Sequence, residues 1–176
     1  TEDLVALSVE QIAALSTSQI AALTTAQLSK LSTDQVAALE LEDIEALSTA
    51  QVAALSTAQV KALSQAQVAA LSTTQVRALE TADVAALTSD QITALTSDQI
   101  AALTTAQIVA LTTAQIVAVE TVDIEHFTTA QLAALENADL AAFTVEQIAA
   151  FTGSQLSKLS TAQVTQLTTA QVGAIE

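Results

Sequence analysis

The side chains with the most chemistry to offer are carboxylates. Four acids fall within six residues at Glu40, Glu42, Asp43 and Glu45, and a second group stands at Glu120, Asp123 and Glu125. Clustered carboxylates are the raw material of a Ca²⁺ site, which takes about six to eight oxygen ligands. Two carboxylates per eight-residue block fall short of that number. A solvated corner is the simpler reading, and a divalent-ion site at these seven residues is the alternative. His126, next to Glu125, is the single histidine, and a catalytic or metal role would need partners that do not recur around it. There is no Cys, hence no thiolate nucleophile, thiolate metal site or disulfide framework. A Ser/His/Asp set, a Gly-rich phosphate loop and a His-Glu-x-x-His spacing are all missing. The expectation is no catalytic, cofactor-binding or metal residue, no cofactor, and no enzymatic activity.

The acids are placed by a period. Ser48-Thr49-Ala50-Gln51-Val52-Ala53-Ala54-Leu55 is restated along the whole chain, and steps of eight from Gln51 land on Gln or Asp from Asp3 to Gln171. That makes 22 octapeptides in 176 residues without insertion or deletion, so residues 1–176 read as one continuous array and not as several domains. Position one is Ser or Thr in 17 of 22 cases, and position four is Gln in 17. Ser/Thr-x-x-Gln is the capping box that opens a helix: the hydroxyl takes the fourth residue's N–H and the Gln side chain takes the cap's own. A helix start therefore recurs every eight residues.

One long helix is excluded by geometry. Eight residues at about 100° each advance about 800°, so the Val and Leu stripe would wind around the helix and face no single partner. A β reading fails because the apolar positions five and eight do not alternate with period two. The remaining solution is a very short helix, a corner of one or two residues, then the next helix. Positions five and eight are aliphatic or Phe in all 22 repeats and are expected to fill the axis, while the varied positions three and six face water. Ala at position seven, in 18 repeats, reads as a site of close helix approach. Helices this short are unstable alone and must stack. The fold class is therefore all-α, a solenoid or superhelix with one helix per eight-residue repeat and an aliphatic-filled axis. A side of roughly 12 Å, from about 1.5 Å per helical residue plus the corner, leaves a triangle too narrow for two aliphatics per side. About four helices per coil, or 32 residues, is the expectation, with five as the alternative that the 40-residue spacing of Glu40, Glu80 and Glu120 allows.

Departures from the repeat come in pairs. Glu40/Asp43, Glu80/Asp83, Glu120/Asp123 and Glu136/Asp139 exchange the long and short residues of the box. They read as a variant cap in which Asp favours the helix dipole. Asp3 and Glu176 would each need a partner just outside the sequence, which predicts a longer array around this one. Phe127, Phe143 and Phe151 replace Leu at position eight and read as larger core fillers. The start at Thr1 has no basic region followed by an apolar core. Gln99 to Val119 carries no charge, but it keeps Thr and Gln at every repeat position and reads as ordinary repeats, not a membrane span.

Nineteen acids against four bases give a net charge of −15. That disfavours nucleic acid, whose affinity comes from Lys and Arg on phosphates, and anionic membrane surfaces. Neither end carries a polar capping repeat, so end-to-end self-association through uncapped coil ends is expected.

Leu103-Thr104-Thr105-Ala106-Gln107-Ile108-Val109-Ala110-Leu111 resembles the octapeptide arrays of very large bacterial surface or secreted, adhesin-like proteins, and the resemblance covers the whole chain. It implies a rigid rod, spacer or stalk in an extracellular or cell-surface protein of a bacterium. Such proteins are often labelled for adhesion or haem use, yet a lone His126 without Cys, Met or Tyr offers haem iron little. The alternative is a binding solenoid that grips a protein or ligand through positions three and six.

Overall fold

The computed structural model describes residues 6–175, so Asp3 and Glu176 lie outside the described residues. They hold 20 α-helices of four to six residues and one 3₁₀ helix, Thr121–His126, with one helix to each octapeptide. No strand occurs among the described residues. Helices begin at position two, directly after an N-cap with extended backbone, as at Ser48 (φ −69°, ψ 158°). Position eight is extended as well, as at Leu47 (φ −63°, ψ 136°) and Leu63 (φ −59°, ψ 138°). Two consecutive extended residues thus turn the corner where the helix runs to position seven. No described residue needs a positive φ, which is why a chain with two Gly and no Pro can make so many turns.

The chain divides into two compact halves between Leu87 and Thr88. In the first, Thr17–Ala21 packs on Leu41–Ala46, Thr33–Ala37 on Thr57–Ala62, and Thr49–Ala53 on Thr73–Ala78. In the second, Ser89–Thr93 packs on Thr113–Ala118 and Thr105–Val109 on Thr129–Ala134. Each half is an all-α solenoid in which a helix lies on the third helix after it. Side chains touch between coils at separations of 25 and 26 residues, a little over three repeats.

This corrects the expectation of about four helices per coil: the coil closes with about three. The triangle is too narrow only if positions five and eight both lie on the helix side. Only position five lies there, and its side chains from Ile12 to Ile148 are 2% exposed or less. Position eight sits in the corner, past the helix, and is buried at 2–6% from Leu31 to Phe151. A triangular coil therefore needs room for one aliphatic per side and one per corner. At position seven Ala54, Ala62 and Ala78 are half-buried, a shoulder of the coil partly open to water, which fits the Lys30 and Lys158 found at that position.

Candidate functional site

Position four carries the most specific chemistry in the molecule. Gln67 is 2% exposed. Its Oε1 accepts the Ser64 N–H at 2.8 Å, and its backbone N–H donates to Ser64 Oγ at 3.1 Å, closing the capping box. Its Nε2 reaches the neighbouring coil and donates to the Leu39 carbonyl at 2.7 Å and the Val36 carbonyl at 3.2 Å. The two acceptors stand 28 and 31 residues back, at the end of a helix whose last carbonyls lack intrahelical partners. Gln59 bonds Leu31 and Leu28 in the same way, and Gln75 bonds Leu47 and Ile44. In the second half Gln131, Gln147 and Gln155 repeat the pattern on Leu103, Val119 and Phe127.

One side chain thus starts its own helix and ends another. Its donor function is not visible in the capping box, which accepts Glu as readily as Gln. The signal lies in what never occurs: of 22 position-four residues none is Glu. Glu would keep the cap but could not donate to a carbonyl.

Where Asp replaces Gln, the cap survives in part and the ladder is interrupted. Asp43 Oδ2 accepts the Glu40 N–H at 3.0 Å, and Asp83 Oδ2 the Glu80 N–H at 3.2 Å. Glu120 and Glu136 make no side-chain cap. Some of the Asp residues instead accept a hydroxyl from the adjacent coil: Thr57 Oγ1 donates to Asp83 Oδ1 at 2.9 Å, and Ser97 Oγ to Asp123 Oδ1. Asp139 is held above the usual carboxylate range, first by burial and then by the charge of Glu136. Glu10, fully exposed, is lowered by the Ser8 hydroxyl and by a backbone hydrogen bond.

The acids singled out for metal chemistry are not brought together. Asp43 is buried and turned into its cap and Asp123 is buried against the Ser97 hydroxyl, while Glu40, Glu42, Glu45, Glu120 and Glu125 are exposed. Among the described residues no three His, Cys, Asp or Glu side chains converge as metal ligands. His126 Nε2 lies 3.7 Å from Glu125 Oε1 with both side chains in solvent. Phe127, Phe143 and Phe151 are buried and meet edge to face, with ring centroids 6.3 and 5.3 Å apart. A shallow groove of about 520 Å³ runs between Val117, Val122, Glu120 and Glu146, where Val117 and Val122 are 48% and 70% exposed. No helix among the described residues is long and apolar enough to cross a membrane, and the uncharged stretch through Val119 is three separate short helices.

The sequence model of the ALTTAQ repeat matches residues 1–33, 36–73, 65–97, 76–113, 93–121 and 116–153. The chain belongs to the ALTTAQ-repeat family. No curated protein matches it. The Gln of the ALTTAQ repeat is the residue that caps one helix and bonds the preceding coil, so the motif is a coil-joining device and the chain a structural repeat module.

Proposed function

We propose that this array is a rigid spacer or stalk that holds other parts of a large bacterial surface or secreted protein at a distance, without enzymatic activity and without binding nucleic acid. The observation that carries the reading is the glutamine ladder. Buried side-chain bonds at fixed separations of 28 and 31 residues join coil to coil within each half. Coupling of each coil to its neighbours gives a quasi-one-dimensional structure whose length is set by repeat number. Small-angle X-ray scattering tests it. Adding three octapeptides adds one coil and lengthens the particle by about 10 Å, the spacing of packed helices. A maximum dimension unchanged by added coils would sink the proposal.

A binding surface is the second reading, favoured by the exposed Val117 and Val122 in their groove. It predicts saturable uptake of an apolar fluorescent probe that Val122→Glu abolishes. A native chain that takes up no probe removes it.

A further inference from the structure

The outward positions of the repeat are mostly small or polar, and one region of the second half departs from that. Position three is Ala, Ser, Thr, Asp or Glu in every other repeat but Val at Val122, and position six is Val at Val109 and Val117 in the two repeats before it. Val122 is the most exposed large aliphatic side chain among the described residues, at 70%. Its repeat also folds differently, since Thr121–His126 is 3₁₀ where the other described helices are α. With about three residues per turn, side chains three apart eclipse, so Val122 and Glu125 share one outward edge. Helix Val145–Ala149 packs beside this 3₁₀ helix and carries Glu146, the position-three residue 24 places after Val122. Two depressions of about 520 and 360 Å³ meet at Thr121 and Val122. The first is walled by Val117, Glu120 and Glu146, the second by Glu125 and Ala150. The result is one groove with an aliphatic centre and three exposed carboxylates around it. The chain supplies little to neutralise them. No Lys or Arg occurs between Arg77 and Lys158, a stretch with ten acids, and among the described residues the one ion-pair contact is the solvent-exposed His126 with Glu125.

We propose that this groove binds a peptide segment of a partner protein in which aliphatic side chains are flanked by Lys or Arg. Two complementary demands select that occupant. Val117 and Val122 keep apolar surface in water, and covering it favours an aliphatic anchor. Glu120, Glu125 and Glu146 surround that anchor with a negative potential that draws cations to either side of it. A second copy of this chain is a poor occupant, because a net charge of −15 repels its like. Nucleic acid and anionic lipid are disfavoured on the same ground. The groove is shallow and its carboxylates stand in water, where each ion pair contributes little, so the affinity is modest, with Kd about 0.1–1 mM. The proposal rests on the binding-surface reading and adds the chemistry of the partner.

NMR titration of the intact chain in low salt tests it, read from the ring signals of His126, the single histidine, which stands beside Glu125. The probe is the end-blocked peptide Gly-Lys-Leu-Leu-Lys-Gly, with analogues in which Gln replaces both Lys or Ser replaces both Leu. The parent peptide should bind saturably, and each analogue about fivefold or more weakly. In the chain, E120Q/E146Q should weaken binding about fivefold and V117S/V122S about tenfold. All four positions are exposed, so the circular dichroism spectrum should not change. E42Q/E45Q removes the same charge from the other half of the chain and should leave Kd unaltered, which separates the groove from general attraction to an acidic surface. Equal binding of the Lys and Gln peptides, unweakened binding to the groove variants, or equal weakening by E42Q/E45Q would each overturn the proposal. Uptake of the apolar fluorescent probe alongside any of those results would leave the binding surface standing and only the partner's chemistry wrong. A chain that takes up neither the probe nor any peptide would remove both.

Discussion

Gln67 shows how much depends on one amide. Its Oε1 holds the Ser64 N–H and its Nε2 holds two carbonyls of the adjacent coil, all in a site 2% exposed. Gln67→Glu keeps the acceptor, loses the donor and buries a charge against the Val36 and Leu39 carbonyls. Burying an uncompensated charge and leaving those acceptors unpaired is expected to cost about 3 kcal/mol or more at neutral pH. The loss should shrink near pH 4, where a protonated carboxyl can donate again; urea midpoints at the two pH values check both parts. Asp139 gives a second prediction. Its folded-state pKa is raised by burial and by Glu136, so the folded chain holds this proton more tightly than the unfolded one. Its unfavourable contribution is absent below the ordinary carboxylate range and grows as pH rises through the raised value, so stability falls across that window. Asp139→Asn should flatten that part of the stability–pH curve and stabilise the chain at pH 7. An unchanged curve would show that Asp139 is not the group responsible.

A helix of four to six residues is too short to hold itself, so each is only as good as its cap and its neighbours. Helix Asn137–Ala142 starts without a side-chain cap at Glu136. The double change Glu136→Thr, Asp139→Gln restores the box. It also points a donor at the Leu111 and Ile108 carbonyls, at the same separations of 28 and 31 residues that the native Gln side chains span. At about 1 kcal/mol net per hydrogen bond, thermal or urea unfolding should show a gain of about 1–3 kcal/mol. Gly153→Ala makes a smaller test in Gly153–Leu156. That glycine has no positive φ, and an added Cβ would meet nothing within 4 Å. Reducing the freedom of the unfolded chain there should stabilise by about 0.4–1 kcal/mol.

For the whole molecule the governing quantities are phase and charge. Removing residues 56–79, three whole octapeptides, joins Leu55 to Glu80 with position one still following position eight. The shortened chain should fold, with a urea m-value reduced roughly in proportion to the surface lost. Removing residues 56–59 alone shifts every later cap by half a repeat and should unfold the surrounding coils, seen as lost hydrogen-exchange protection. A net charge of −15 with four bases makes the compact state self-repelling. Raising salt from about 20 mM to about 0.5 M should therefore raise the unfolding midpoint, since screening shortens the reach of those charges from about 20 Å to about 4 Å.

The octapeptide by itself determined the local structure. The recurring Ser/Thr-x-x-Gln box put a helix start at every eighth residue, and the aliphatic pair at positions five and eight excluded both a continuous helix and a strand. Those are short-range consequences of capping and periodicity, and they are legible without a fold. The number of helices per coil was not, because it depends on where position eight points. The corner is set by extended backbone at Leu47 and Leu63, which moves that side chain off the helix face and lets three sides close. The second role of Gln was equally hidden, since its acceptors lie 28 and 31 residues away and exist as a site only once coils are stacked. The absence of Glu at position four was the trace this left in the sequence. The acid clusters could be counted from the sequence, but tertiary structure decided their fate: Asp43 turns inward to its cap and Asp123 to the Ser97 hydroxyl, while the neighbouring Glu side chains stay in water. Burial and distance, which separate a carboxylate that caps from one that could ligate, are properties of the packed chain.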